Sequence, residues 1–232
     1  CITPDSPRAL SAQGLAKCIA ARGGNVVACD SVETGISTAL ETGDPVVAFG
    51  SLYMAGAVRT TFRPVYRKWL RRSKIRVRDA LGAEERARLS EQIVKQIIAS
   101  DEFRKAQTVL IYRAIRGEAR LEMLEIAPES QGKRLVFPLC ISNTEMIALL
   151  PNGEDSWVPG YCGIMEPVQE MSTLIQPEEI DLVICPGTVF DDRCNRMGMA
   201  AGFYDRYLAK CVNAKVALVA FEFTKPTKDT IK

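Results

Sequence analysis

Asp205 and Tyr204 close a short run of small residues, Gly198-Met199-Ala200-Ala201-Gly202 followed by Phe203, and Arg196 stands just ahead of it. A small-residue loop entered from a strand and left by a helix turns backbone N–H groups outward, with the positive end of the helix dipole behind them. Such a loop suits phosphate oxygens. Arg196 and Arg206 add fixed positive charge, and Asp205 offers a hard oxygen for a phosphate-bound Mg²⁺. The spacing alone also describes an ordinary tight connection between strand and helix. The gathering of two arginines, an aspartate and a tyrosine around one loop is what favours phosphate. Neither a Walker loop nor a dinucleotide fingerprint occurs.

Histidine is absent from all 232 residues. Ser-His-Asp and Cys-His nucleophile systems, histidine-ligated zinc and imidazole acid–base steps are therefore excluded. Catalysis must rest on carboxylates, Lys and Arg, Tyr, backbone donors and bound metal. Eight cysteines occur without a C-x-x-C pair, and Cys140 and Cys185 lie inside apolar runs. That pattern points to a reducing cytosol and away from a disulfide framework or zinc site. A formal net charge of +2 gives no footprint for nucleic acid, and no apolar run reaches membrane-spanning length.

Other charged groups compete for the same chemistry. Arg113 and Glu118 follow the apolar run Thr108 to Tyr112, at the strand end where α/β sheets keep ligand groups. Glu118 also reads equally well as a helix-start carboxylate favoured by the dipole. Arg67, Lys68, Arg71 and Arg72 form a dense basic run that is either a solvated helix face or a second source of phosphate contacts.

The elements that must position these groups follow from periodicity. Leu182 to Cys185, Thr108 to Tyr112, Arg134 to Pro138, Met146 to Leu150 and Val216 to Phe223 predict strands. Leu89, Ile93, Ile97 and Ile98 recur at helical spacing, with Leu81-Gly82 as a break from the helix before it. Trp157 to Pro167, punctuated by Pro and Gly around Tyr161, predicts loop. Ahead of this, Leu10 to Ala21 and Val32 to Glu41 predict helices, and Val26 to Cys29 and Val46 to Gly50 short strands. Thr60 to Tyr66, with Pro64, is the expected junction. The fold expected from roughly residue 65 onward is α/β, a largely parallel sheet flanked by helices, preceded by a small N-terminal αβ fragment.

Two resemblances attach to these residues. Thr3-Pro4-Asp5, Pro7-Arg8-Ala9 and then Gly50-Ser51-Leu52-Tyr53, Gly56 and Arg59 resemble the extreme carboxyl end of folylpolyglutamate synthase, a Mur-ligase-type enzyme, over residues 1–62. Its phosphate-binding loop and central domain have no counterpart here, so a working ligase is not expected of that piece. Residues from about 65 to 223 resemble the 5-formyltetrahydrofolate cyclo-ligase family, so that residues 63–232 are expected to form a domain of that kind. The carriers are Leu70-Arg71, RDALGAEER, Tyr112 with Glu118, Gly132-Lys133 with Pro138, GIMEP, and above all DLVICPG…FD…NRMG…GFYDRYL.

That resemblance implies a fold like the ribose-phosphate isomerase and CoA-transferase group, and a cytoplasmic, monomeric enzyme. The implied reaction is closure of 5-formyltetrahydrofolate to 5,10-methenyltetrahydrofolate, with ATP as cosubstrate and Mg²⁺ bound. It implies that Arg67 or Lys68 and Arg71 meet ATP phosphates together with Arg196, Gly198, Met199, Ala200, Ala201, Gly202, Phe203 and Tyr204. Arg196, Tyr204 and Asp205 carry catalysis, Asp205 ligates Mg²⁺, and Arg113, Glu118 and Tyr161 hold the folate. Three departures stand out. Ala200 and Ala201 occupy positions where glycine is common, Leu121 replaces a usual threonine, and TKPTKDTIK does not resemble the family's acidic tail segment. Where the backbone needs φ > 0, each alanine costs roughly 1 kcal/mol. A folate- or nucleotide-binding module without turnover is thus the alternative. A sugar-phosphate isomerase or CoA-transferase on the same fold is a third reading, resting on fold analogy alone.

Overall fold

The computed structural model describes residues 1–50, 52–160 and 163–224. The chain forms two compact units, Cys1–Ser73 and Lys74–Lys232. In the first, helix α1 (Ala12–Ala20) begins at Ser11 and helix α2 (Val32–Leu40) at Ser31. Each serine Oγ accepts from the N–H three residues on, the bond that satisfies one of a helix's free first-turn donors. Helix α3 (Leu52–Asp79) starts in this unit and runs past its end. Ile36, Leu40 and Val65 form the unit's small core, with Val32, Tyr66 and Trp69 packed on it.

Two expectations for this unit are corrected. Val26–Cys29 and Val46–Gly50 form no strand; an isolated bridge from Ile2 to Cys29 is all that pairs there. These runs lack a neighbouring strand to accept their backbone bonds, and an isolated strand is unstable whatever its residues. The stretch expected as a junction is helical, and Pro64 lies inside α3. Pro64 and Thr60, whose carbonyl loses its usual partner to the proline, are both exposed, so water satisfies what the helix does not.

In the second unit, helices α4 (Ala83–Ala99) and α5 (Asp101–Lys105) precede a six-stranded sheet. Its strands are β1 (Thr108–Leu110), β2 (Arg134–Cys140), β3 (Met146–Pro151), β6 (Ser172–Ile175), β7 (Leu182–Pro186) and β10 (Lys215–Val219). Their order is β10-β7-β1-β2-β3-β6; β10, β7, β1 and β2 pair in parallel, and β3 runs antiparallel to both of its neighbours, β2 and β6. The α/β reading with a mostly parallel sheet therefore holds. Helix α6 (Met123–Ile126) lies in the β1–β2 crossover and α7 (Phe203–Leu208) in the β7–β10 crossover. β10 is shorter than expected and gives way to a single helical turn at Glu222–Thr224.

Burial on both faces explains the continuous apolar strands. Val109 and Ile111 pack with Leu182 and Ile184 on the face that holds Val94 and Ile97 of α4, while Leu110, Val183 and Cys185 face Tyr207 of α7. Each such side chain taken out of water contributes about 1.5–3 kcal/mol. Asp181 fixes the start of the sheet: its Oδ2 accepts from Gln107 N at 2.9 Å and Thr108 N at 2.8 Å. Residues 157–167, expected as loop, hold a small antiparallel hairpin instead, β4 (Trp157–Pro159) with β5 (Met165–Pro167). A second hairpin, β8 (Val189–Phe190) with β9 (Arg196–Met197), follows β7.

Candidate active site

The carboxyl ends of β1 and β7 lie side by side in the parallel part of the sheet, where the two chains leave in different directions and polar groups gather. Beyond β1, Arg116 (φ 44) and Gly117 (φ 73) take left-handed backbone in succession and turn the chain back on itself. A Cβ on Gly117 would sit 3.2 Å from the Arg78 carbonyl oxygen, so both its conformation and its surroundings call for glycine. The turn delivers Glu118 to a buried position. Its N–H donates to Ile115 O at 3.0 Å, its Oε2 accepts from Ile115 N at 3.3 Å, and the Tyr112 hydroxyl donates to Ala119 O at 3.0 Å.

Glu118 is 6 % exposed, and Arg78, 1 % exposed, brings Nη1 to 3.9 Å from its Oε1. Burial raises the Glu118 carboxyl to about 7, although Arg78, the Ile115 N–H and Arg196 all pull it down. Burial likewise pushes the hydroxyls of Tyr112 and Tyr204 well above their ordinary range and the Cys185 thiol up to about 12.

The end of β7 is gripped by two arginines on successive carbonyls. Arg196 Nη1 donates to Pro186 O at 3.1 Å and Arg78 Nη1 to Gly187 O at 3.0 Å. Gly187 has no room for a side chain, since a Cβ would meet Phe190 Cζ at 2.5 Å. The β8–β9 hairpin presents Arg196, and Asp191 shapes that hairpin by accepting from Arg193 N at 3.0 Å and Asn195 N at 2.9 Å. Arg196 Nη2 pairs with Asp205 Oδ1, and its Cζ lies 5.5 Å from the Tyr204 ring centroid. The Tyr204 hydroxyl is buried without a hydrogen-bond partner among the described residues.

Between Arg196 and α7 runs the small-residue loop. Ala200 adopts φ 87, Gly202 φ 71 at the start of α7, and Ala201 is outside the left-handed region. A Cβ at Gly198 would come within 2.8 Å of Arg196 Nη1 and one at Gly202 within 2.7 Å of Arg206 Nη1. Arg206 is a tether: its Nη2 donates to Ala201 O and its Nε to Thr144 O, each at 2.7 Å. With only six residues, α7 supplies little dipole, so positive potential here comes chiefly from Arg196.

Arg113 lies apart from Glu118 on a groove of about 670 Å³ that also takes in Glu125, Phe137 and Trp157. Its guanidinium pairs with both Glu125 oxygens and stands 4.7 Å and 4.5 Å from the Phe137 and Trp157 ring centroids. The two rings meet edge to face at 4.7 Å. That combination gives a flat, apolar and cationic slot suited to a planar heterocycle.

The structure thus brings Arg196, Gly198, Met199, Ala200, Ala201, Gly202, Phe203, Tyr204 and Asp205 into one loop, with Glu118 beside the strand end it leaves from. Arg67, Lys68 and Arg71 belong to the N-terminal unit, on α3, where burial and the like charge of Arg67 pull the Arg71 guanidinium below its ordinary range. Tyr161 lies outside the described residues. Arg78, Glu125, Phe137 and Trp157 escaped the sequence reading. Arg78 hides in a basic run, and only the helical register of its neighbours Val77 (exposed) and Leu81 (packed on the core) could have turned it inward.

A parallel α/β sheet whose arginines, buried carboxylate and small-residue loop all collect at one strand edge defines an α/β protein with a polar ligand site at that edge. The model of the 5-formyltetrahydrofolate cyclo-ligase family matches residues 64–225. The chain belongs to that family. It is 32% identical over 147 residues to the 5-formyltetrahydrofolate cyclo-ligase of Mus musculus, covering 57% of this chain and 68% of that protein. A probable 5-formyltetrahydrofolate cyclo-ligase of Schizosaccharomyces pombe is 30% identical over 122 residues, 51% of this chain and 59% of its own length. Among solved structures, the 5,10-methenyltetrahydrofolate synthetase of Aquifex aeolicus superposes with a TM-score of 0.61 at 32% identity, over 71% of this chain and 84% of that one.

Proposed function

We propose that this chain closes 5-formyltetrahydrofolate to 5,10-methenyltetrahydrofolate, with ATP and Mg²⁺ and with release of ADP and phosphate. The observation that carries the reading is Arg196. It stands half-buried at the head of a small-residue loop, tied to the end of β7 and paired with Asp205, on the same sheet edge as Glu118.

In the proposed reaction the formyl oxygen attacks the γ-phosphorus of ATP and the bond to ADP breaks. N10 then attacks the activated formyl carbon and loses its proton, and the carbon–oxygen bond breaks to release phosphate. Neither step needs a histidine. Phosphoryl transfer asks for positioning and charge neutralisation. Arg196 would neutralise the transferring phosphoryl group, and the loop from Gly198 to Phe203 would orient the triphosphate through its backbone amides. Tyr204, whose buried hydroxyl is unpaired, would donate to a phosphate or formyl oxygen. Glu118 would accept hydrogen bonds from the pterin's amino and ring N–H groups, with Arg113 and Tyr161 as further contacts to the folate.

No cluster of three metal-ligating side chains occurs among the described residues. Asp205 presents a largely exposed carboxylate beside the phosphate loop, which fits an ion that takes one or two protein carboxylates and fills its shell with phosphate and water. Mg²⁺, when bound there, offsets charge on the phosphate oxygens. For the division of the chain, residues 63–232 form the cyclo-ligase domain of a cytoplasmic, monomeric enzyme. Residues 1–62 form a fragment similar to the carboxyl end of folylpolyglutamate synthase. The start of the family match at residue 64 supports that boundary.

Ala200 favours one competing reading. A left-handed alanine in the phosphate loop is strained, and a chain with a weakened loop would bind folate or nucleotide without turning over. The appearance of methenyl-product absorbance, dependent on both ATP and Mg²⁺, separates the two. Ligand binding without product would overturn the proposed activity.

A further inference from the structure

We propose that Arg78 is a positioning residue for the reaction: one of its guanidinium nitrogens holds both the Glu118 carboxylate and the Gly187 carbonyl, locking the folate-binding carboxylate to the end of β7. The inference rests on Glu118 being a folate contact. Arg78 Nη1 donates to Gly187 O at 3.0 Å and lies 3.9 Å from Glu118 Oε1. The next carbonyl back, Pro186 O, is taken by Arg196. One strand end is therefore clamped by two arginines, one serving the phosphate loop and the other the folate carboxylate.

Stability alone does not account for this arginine. It is 1 % exposed, yet its Nε and Nη2 find no hydrogen-bond partner among the described residues. A buried guanidinium with idle donors is costly, and a well-packed apolar side chain generally serves a fold as well or better. What Arg78 offers beyond an apolar residue is its charge, set against a carboxylate that has almost no water. The backbone around it is shaped for the same contact, because a side chain on Gly117, the residue before Glu118, would bring its Cβ to 3.2 Å from the Arg78 carbonyl oxygen and 3.3 Å from the Arg78 Cβ.

The groups acting on Glu118 come from every neighbouring element. Arg78 on α3 and Arg196 on β9 favour its ionised form, against burial that favours the protonated one. Tyr112 beyond β1, Cys185 in β7 and Tyr204 on α7 are held neutral by burial around it. Asp79 and Arg86 act on Arg78 with opposite sign. With the carboxyl balanced at about 7, removal of the largest favourable charge leaves it protonated at neutral pH. A protonated acid loses half of its acceptor capacity toward the pterin.

The test uses the full chain, steady-state kinetics with 5-formyltetrahydrofolate at saturating ATP and Mg²⁺, and a pH series. Arg78→Gln keeps a donor for the Gly187 carbonyl and removes the charge. It should move the acid-side break in kcat/KM for the folate upward by about one pH unit, raising KM at neutral pH about fivefold with kcat and the KM for ATP little changed. Arg78→Lys should return the break to near its wild-type position. Arg78→Met repeats the charge test should the glutamine variant not fold. Glu118→Gln should abolish the break, and Arg78→Gln added to it should change the folate KM no further. If Glu118→Gln leaves the folate KM unaltered, the assignment of Glu118 itself fails. If Glu118→Gln raises KM while Arg78→Gln and Arg78→Met leave the break where it was, Arg78 is structural only and the inference is overturned.

Discussion

Replacement of Glu118 by glutamine makes a quantitative demand on stability as well as on binding. The carboxyl titrates at about 7 in the folded chain and near 4.5 when solvated. Between those values the folded protein holds a proton that the unfolded chain has released. Stability therefore falls as pH rises through this window: the contribution of the protonated carboxyl is complete below about 4.5 and lost once pH passes about 7. The difference amounts to about 3 kcal/mol. Because Glu118 is almost wholly buried, solvent screening takes little from that figure. Glu118→Gln cannot titrate, so the unfolding free energy of the variant should gain on that of the wild type by most of this amount between about pH 5 and 8. The attraction between Arg78 and the ionised carboxylate is already contained in the value of about 7, so its loss in the variant adds no separate pH-dependent term. Urea denaturation of both proteins across the range measures the gap. A gap that stays constant would mean that Glu118 ionises as it does in water, and the argument from its burial would be refuted.

Three further outcomes follow from the same geometry. Ala200→Gly relieves a left-handed alanine and should stabilise the chain by roughly 1 kcal/mol, whereas Ala201→Gly, outside that region, should destabilise it by about 0.5 kcal/mol; paired thermal melts read the difference, and the Ala200 variant should also lower the KM for ATP. Arg196→Ala and Asp205→Ala should each abolish product formation while circular dichroism stays that of the wild type; normal turnover in either would make the loop a mere connection. Arg113→Ala removes the cation held between Phe137, Trp157 and Glu125 and should raise the folate KM about tenfold or more, a loss of roughly 1–2 kcal/mol, with the KM for ATP unchanged.

How much of this could be read in the residues depended on whether burial was symmetric. Leu182 to Cys185 and Thr108 to Tyr112 are buried on both faces, so unbroken apolar runs announced them. The two short β-branched runs before residue 51 look the same locally and form no strand, since strand pairing is decided by neighbours that a run cannot encode. Pro64 read as a break, but on an exposed face water completes the helix and α3 continues through it. In the candidate site the phosphate loop was legible because its small residues and charges are contiguous. Arg78 and Trp157 were not, because they meet Glu118 and Arg113 only through the turn at Arg116-Gly117 and the packing of the β4–β5 hairpin.

Cys185 gives the site a built-in reporter. Its thiol sits in β7 just before Pro186 and Gly187, whose carbonyls the two arginines hold, and burial keeps it as an inert, protonated sulfur. Cys18 and Cys194 lie at the surface, so an alkylating reagent will label them at once. Labelling of Cys185 must wait until the strand end opens, and its rate clocks that opening directly. Ligands that bridge the arginine pair should slow that labelling without altering the fast phase.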